Sequence, residues 1–438
     1  MRLAVIGTGY VGLVTATCFA ELGHYVTGVD IDEKKIAMLK EGKSPIFEPG
    51  LEELIQKGLQ SGFLRFTTDL SSSLTDIDIV FSAVATPPGE GAKADLRAVF
   101  TVCETVATHA EKEVLFVNKS TVPVGTGRAC EEKMDAILKK RGKSFRIPVI
   151  SNPEFLREGM AVPDTLMPDR IVVGINGNEP ALSMMEELYR PITRVGKPLL
   201  FMDRESAEIV KYAANSFLAT KISFVNMLTE FIERSGGNIR QVAAGMGMDN
   251  RIGSKFLHAG IGYGGSCFPK DVKAFIATAR ENGLAFPILE ATDYINRTQR
   301  ERFFKRIIDA LPAKATVCLW GLGFKPRTDD MREAPSLNLI PLLLAKGHTI
   351  AAFDPAATRN TKTFFPTEIG YASSPMEAAK GADAVVLLTE WDVFRGIDFK
   401  ELKKTMKGTE LFDGRNIYEP KEVEEAGLKY VGVGMFGY

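Results

Sequence analysis

A short apolar run, Leu3-Ala4-Val5-Ile6, leads directly into Gly7-Thr8-Gly9-Tyr10-Val11-Gly12 and then into a helical apolar pattern over residues 13–22. No other stretch limits the fold of this chain so tightly. Gly7 allows the tight turn, Gly9 lets a pyrophosphate approach the backbone at a helix N-terminus, and Gly12 permits close helix–strand packing. Residues 25–29 predict a second strand, which ends in Asp30. An acid there can hold both ribose hydroxyls and repels a 2′-phosphate, so the unit is expected to take NAD rather than NADP. Glycines alone are a weak signal. Strand, fingerprint, helix, strand and acid in register specify a β-α-β dinucleotide unit.

The β/α rhythm continues. Residues 78–84, 114–117 and 147–150 read as strands, and each delivers polar residues at its C-terminal end. These ends carry Thr86, then Thr121, then Asn152-Pro153-Glu154-Phe155-Leu156-Arg157-Glu158-Gly159. Open α/β sheets bind ligands there. Turn chemistry explains the Pro and Gly residues but not the recurrence of Thr121, Glu154 and Glu158. Residues 205–235 contain no internal Gly or Pro and read as one helix longer than globular proteins usually carry. Lys211 and Asn215 lie four apart on one of its faces. Taken alone, they would be two solvated polar residues.

The last third repeats the first. Residues 315–320 form an apolar strand ending Gly321-Leu322-Gly323-Phe324-Lys325-Pro326, and residues 349–353 form another ending in Asp354. Pro326 replaces the third glycine, and an insertion follows. This degenerate unit is expected to bind a different nucleotide.

Between the two units lies Gly260-Ile261-Gly262-Tyr263-Gly264-Gly265-Ser266-Cys267-Phe268-Pro269-Lys270-Asp271. Four glycines allow close approach to a ligand, and Pro269 stiffens the segment. Lys270 or Asp271 could tune or serve the thiol, and a thiolate beside positive charge is a strong nucleophile. For an arbitrary cysteine, a small buried residue after a flexible loop would be the better reading. The dinucleotide unit upstream favours chemistry.

Composition sets the remaining bounds. With 54 basic and 55 acidic side chains the net charge is −1. No basic field calls for nucleic acid or an anionic membrane. The five cysteines, Cys18, Cys103, Cys130, Cys267 and Cys318, are odd in number and scattered, without a CxxC pair. His24, His109, His258 and His348 form no ligand cluster. A reduced, cytoplasmic protein without a structural metal is expected. The opening run is interrupted by glycines and no cleavage site follows, so it does not read as a signal peptide, and no stretch is long and apolar enough to span a membrane. A chain of 438 residues exceeds one ordinary core.

The fingerprint at Gly7 to Gly12, the Asn152 to Gly159 motif, the Lys211/Asn215 helix, the Gly260 to Asp271 loop, and Phe324-Lys325 with Arg332 together resemble the UDP-glucose/GDP-mannose dehydrogenase family over essentially the whole length. The resemblance implies an α/β protein with two Rossmann-like doubly wound domains joined by a long central helix and a helical dimerisation region. The expected divisions are 1–199 for NAD, 200–300 for the dimer interface and cysteine loop, and 301–438 for the UDP-sugar. The implied activity is a four-electron oxidation of UDP-glucose to UDP-glucuronate, with NAD as cofactor, in a homodimer.

The resemblance also implies roles. Cys267 would add to an aldehyde as thiolate, and oxidation of the thiohemiacetal would leave a thioester for water to release. Lys211 and Asn215 would stabilise oxyanions, Asp271 would move a proton through a water placed by Thr121, and Glu154 would be the base for hydrolysis. Gly7, Gly9, Tyr10, Val11, Gly12, Asp30, Lys35, Thr86, Thr121, Glu158, Lys270 and Arg332 match cofactor positions. Glu154, Phe155, Leu156, Lys211, Asn215, Phe256, Leu257, His258, Ala259, Gly260, Gly264, Phe324 and Lys325 match substrate positions, and Arg251 matches a residue that reaches the substrate across the dimer. His258 and Ala259 sit in a loop that varies within the family. A sister activity on GDP-mannose or a UDP-N-acetylhexosamine is the alternative, followed by a nucleotide-sugar sensor without turnover. Retention of Cys267, Lys211 and Asp271 argues against the sensor.

Overall fold

A computed structural model describes residues 1–435. The chain divides into two compact units, Met1–Ala214 and the chain from Asn215 onward. The division falls inside one helix of 32 residues, Arg204–Ser235.

The first unit carries eight strands: β1 (Arg2–Ile6), β2 (Tyr25–Val29), β3 (Leu64–Thr67), β4 (Ile79–Ser82), β5 (Leu115–Asn118), β6 (Val149–Ser151), β7 (Ile171–Gly174) and β8 (Leu199–Met202). Their order is β3-β2-β1-β4-β5-β6-β7-β8. The first six are parallel in the doubly wound 3-2-1-4-5-6 order, while β7 joins β6 antiparallel through Ser151 and Gly174. Strands of such a sheet are covered on both faces, so they read as continuous apolar runs. Their side chains divide by alternation. Leu3, Val5, Ile79 and Phe81 enter one core, and Ala4, Ile6, Val80 and Phe116 enter the other.

The second unit repeats this plan with β9 (Thr316–Trp320), β10 (Thr349–Phe353), β11 (Gly370–Tyr371), β12 (Ala384–Leu387), β13 (Glu410–Asp413) and β14 (Lys429–Val431). Their order, β11-β10-β9-β12-β13-β14, is again 3-2-1-4-5-6 and parallel throughout. Before this sheet come the helices Ile239–Gly247, Phe268–Glu281 and Pro287–Ala310. Cys18, Cys103, Cys130 and Cys318 are buried, and Cys267 is half-buried. No helix among the described residues is long and apolar enough to cross a membrane.

Candidate active site

In the first unit, β1 ends at the fingerprint. Gly7 has φ +94°, and a Cβ there would lie 2.8 Å from the Ala83 carbonyl oxygen. At Gly12 a Cβ would lie 1.8 Å from the Gly7 carbonyl oxygen, so the helix Tyr10–Glu21 can sit on the strand only with glycine there. Gly9 is exposed, with nothing within 4 Å of its Cβ position. This is the open backbone that a pyrophosphate needs at a helix N-terminus. The Tyr10 hydroxyl donates to the Phe47 carbonyl, and Val11 follows Tyr10 in the first turn of the same helix.

Asp30 follows β2. Its Oδ2 accepts from the Thr8 amide and hydroxyl, both at 2.8 Å, and its Oδ1 accepts from the Asp32 amide at 3.0 Å. Lys35 Nζ stands 3.9 Å away. Burial pushes this carboxyl up, but the amides of Thr8 and Asp32, the Thr8 hydroxyl and Lys35 together hold it below its ordinary value. Asp30 is therefore an oriented anion at neutral pH; its side chain is 11% exposed and accepts three hydrogen bonds, so of about four lone-pair positions one is left for a sugar hydroxyl.

The ends of β4, β5 and β6 meet in the same unit. The Thr86 hydroxyl donates to the Thr121 carbonyl at 2.9 Å. Lys211 Nζ donates to Glu154 Oε1 at 2.8 Å in a pair that is 3% and 6% exposed. Glu154 Oε2 accepts from the Leu156 amide at 2.8 Å, and the Phe155 ring faces the Arg170 guanidinium at 3.6 Å. Breaking one half of such a buried pair costs about 3–5 kcal/mol, so each residue fixes the other. Glu158 is buried beside Gly159, whose amide donates to Glu48.

Sequence reasoning passed over three residues here. Glu208, one turn before Lys211, accepts from the Gly125 and Gly127 amides at 2.7 and 2.8 Å and from the Ser151 hydroxyl at 2.9 Å. Glu48 holds the Gly159 and Ala161 amides. Lys119, at the end of β5, donates to the Asn152 carboxamide at 3.2 Å. Burial pushes its ammonium from 10.5 down to about 8; Glu154 pulls the other way and Lys211 adds to the fall. Neither Glu208 nor Glu48 belongs to a motif, and Lys119 reads as a strand-end lysine. Only burial distinguishes them.

In the second unit Cys267 is the N-cap of the helix Phe268–Glu281, at the positive end of its dipole. The Asp271 amide donates to the Cys267 carbonyl at 2.8 Å, which puts both side chains in the first turn. The Asp271 carboxylate is 1% exposed, and each oxygen is engaged: Lys270 Nζ at 2.6 Å and Asn215 Nδ2 at 2.7 Å. Ser266 Oγ lies 3.4 Å from the Cys267 sulfur. Lys211 and Asn215 follow one another by one turn on the long helix.

The loop before the cysteine packs on the second fingerprint. A Cβ on Gly264 would lie 2.3 Å from the Glu333 carbonyl, and one on Gly265 would lie 2.5 Å from the Phe324 ring. The Gly265 amide donates to the Arg332 carbonyl, and Lys325 Nζ stands 5.4 Å from the Phe324 ring. Phe256 has φ +66°, a conformation costly for a bulky residue and frequent at ligand sites. Leu257, Ala259 and Gly260 are buried and His258 is exposed. Arg251 is an exposed arginine paired with Asp249, and the Arg332 side chain pairs with Asp330. Among the described residues no group of three or more His, Cys, Asp or Glu side chains could hold a metal ion.

The UDP-glucose/GDP-mannose dehydrogenase family is matched by all three of its domain models: the NAD binding domain over residues 1–193, the central domain over 205–298 and the UDP binding domain over 318–420. The chain is 46% identical to a UDP-glucose 6-dehydrogenase of Pseudomonas aeruginosa, over 99% of this chain and 97% of that one. It is 43% identical to a UDP-glucose 6-dehydrogenase of Rhizobium meliloti, over 99% of each. The solved UDP-glucose dehydrogenase of the archaeon Pyrobaculum islandicum matches with a TM-score of 0.90 at 35% identity, covering 99% of this chain and 98% of that one.

Proposed function

Because the chain belongs to the UDP-glucose/GDP-mannose dehydrogenase family and is an NAD-dependent oxidoreductase, we propose that it oxidises UDP-glucose at C6 to UDP-glucuronate, removing four electrons. Cys267 at a helix N-terminus, one turn from a buried Asp271 tied to Asn215 and Lys270, carries this reading. The names of the relatives support the substrate.

Gly7, Gly9, Gly12, Asp30 and Lys35 would hold NAD, and the open Gly9 backbone and the oriented Asp30 anion fit it. When bound, NAD supplies the acceptor for the hydride lost in each oxidation. Lys211 and Asn215 stabilise negative charge on the C6 oxygen. Asp271 receives the hydroxyl proton through a water held at Thr121. The Cys267 thiolate then forms a C–S bond to the aldehyde carbon, and the carbonyl oxygen takes up a proton. Loss of hydride from that carbon, with the hydroxyl proton given up again, leaves a thioester. Glu154 draws a proton from water, which attacks the acyl carbon; the C–S bond breaks, giving the carboxylate and returning the thiol.

A homodimer belongs to the same reading. Phe217, Phe224, Met227 and Phe231 are exposed at spacings of seven, three and four along the long helix, and Phe231 is 72% exposed. One apolar stripe of this kind supports pairing with a second copy.

The test is stoichiometry. Purified enzyme should form about two NADH per UDP-glucose with no trappable aldehyde, because the thioester links the two oxidations. One NADH per sugar, or accumulating aldehyde, would overturn the covalent route. Equal kcat/KM with GDP-mannose or a UDP-N-acetylhexosamine would overturn the substrate.

A further inference from the structure

Within the second unit the loop 260–267 is held by one face of the helix Pro287–Ala310. Asn296, Gln299 and Arg300 share that face by their spacing, and all three are buried although polar. The Asn296 carboxamide engages the Tyr263 backbone twice: Oδ1 accepts from its amide at 2.8 Å, and Nδ2 donates to its carbonyl at 3.0 Å. Arg300 donates to the same carbonyl at 3.0 Å, and Gln299 donates to the Gly260 carbonyl at 3.0 Å. Gly262 has φ +88°, and a Cβ there would lie 2.5 Å from Asn296 Oδ1, so glycine is what lets the carboxamide reach. The Tyr263 ring stands edge-on to Phe268, 5.7 Å between centroids. Phe268 follows Cys267 directly and opens its helix.

A loop with four glycines has many conformations to lose. Here a rigid helix supplies the hydrogen bonds that select one. We propose that Asn296 is the positioning residue for Cys267, acting through the Tyr263 backbone and its ring contact with Phe268. This rests on Cys267 being the nucleophile, as proposed above. Asn296 touches neither the substrate nor the thiol in this role; it sets where the thiol stands. A misplacement of 1 Å at a reacting group can cost about 100-fold.

The experiment uses the full chain with Asn296→Ala and reads three quantities. These are the rate of Cys267 alkylation by iodoacetamide, followed by peptide mass; kcat and KM for UDP-glucose and NAD; and free aldehyde captured by a hydrazine. Cys18, Cys103, Cys130 and Cys318 are buried and report on the fold in the same digest. Alkylation at Cys267 should slow several-fold and kcat should fall about 10–100-fold. KM for NAD should stay within about twofold, and aldehyde should escape, because only the thiol-dependent half of the reaction is disturbed. Alkylation and kcat both near wild type would overturn the proposal. If the buried cysteines of Asn296→Ala become reactive, Asn296→Asp takes its place: it keeps the acceptor for the Tyr263 amide and sets an oxygen against the Tyr263 carbonyl. The same pattern of slowed thiol and released aldehyde is then expected. Loss of fold in both variants would make Asn296 a structural residue and overturn the proposal. A Cys267→Ala control separates the two readings. If it still turns over, the nucleophile assignment fails; if it is dead while Asn296→Ala is normal, only the positioning role fails.

Discussion

The two Rossmann units place an aspartate at the same point, after the second strand, and use it in opposite ways. Asp30 accepts three hydrogen bonds, from Thr8 twice and Asp32 once, and stays partly open with Lys35 near its edge. Asp354 accepts five: the amides of Leu322, Gly323, Ala356 and Ala357, and the Trp391 indole. It is 4% exposed. A carboxylate offers about four lone-pair positions, so Asp354 has none left for a ribose. The glycines follow suit. Gly9 faces open space, whereas the Gly323 Cβ position lies 3.3 to 3.5 Å from Thr328, Ala357 and Asp330. The first unit keeps its dinucleotide seat open. The second has folded its own chain into that seat, so its ligand must be held by other groups. One backbone plan thus serves once as a binding device and once as a brace.

The largest expected break in this contrast is in stability. Asp354→Ala leaves three buried amides, the half-buried Ala356 amide and the half-buried Trp391 indole N–H without their acceptor, and should cost about 3–5 kcal/mol. Asp30→Ala should cost less, about 1–3 kcal/mol, because it strands fewer donors, the Thr8 amide and hydroxyl and the Asp32 amide. Urea unfolding of the full chain, followed in both variants, checks this. Equal losses would mean that the two acids brace their units alike. Cofactor choice should show the reverse pattern. Asp30→Ala should narrow the NAD over NADP ratio of kcat/KM by about 10–100-fold, since the 2′-phosphate is no longer repelled. Asp354→Asn should leave that ratio unchanged. A ratio insensitive to Asp30 would remove its role in cofactor selection.

Much of this was legible in the chain. Gly7, Gly9, Gly12 and Asp30 stand at spacings that only a β-α-β unit explains, and the Gly260 to Asp271 run is singled out by its four glycines, its thiol and its Pro-Lys-Asp end. The structure adds what lies outside local pattern. The strands β3, β7 and β8 have four residues each, no longer than β4 and β5, and at that length periodicity alone does not separate a strand from a turn; β4, β5 and β6 were legible through the polar runs at their ends. Asp354 reads in sequence as the twin of Asp30, because the groups that saturate it include Trp391, far along the chain. Asn296, Gln299 and Arg300 at helical spacing look like a solvated face. Glu208 looks the same on its own helix, and Lys119 reads as a polar residue after a strand. Burial separates them from surface residues, and burial is a property of the packed chain.

The smallest effect tests whether the contrast extends to the fifth strand position of each sheet. There β5 ends at Asn118 and Lys119, and β13 ends at Asp413. Burial pushes Lys119 down from 10.5 to about 8. Burial pushes Asp413 up from 3.8, against the amides of Tyr418 and Arg415 and the Tyr430 hydroxyl. The signs are mirror images. A depressed lysine contributes stability that is full above pH 10.5 and lost as pH falls through about 8. A raised aspartate contributes stability that is full below pH 3.8 and lost as pH rises through its folded value. Each slope is at most about 1.4 kcal/mol per pH unit. Measured as a difference in unfolding free energy, wild type should gain on Lys119→Met as pH climbs from about 8 towards 10.5, and should gain on Asp413→Asn as pH drops from the folded value of that carboxyl towards 3.8. Other titrating groups cancel in each difference. Parallel profiles for Lys119→Met would mean that its ammonium is compensated by charge where it lies, with Glu154 shared between Lys119 and Lys211. The Glu154–Lys211 pair would then have to be treated as a triad of two ammoniums and one carboxylate, with one positive charge left uncompensated in the buried cluster.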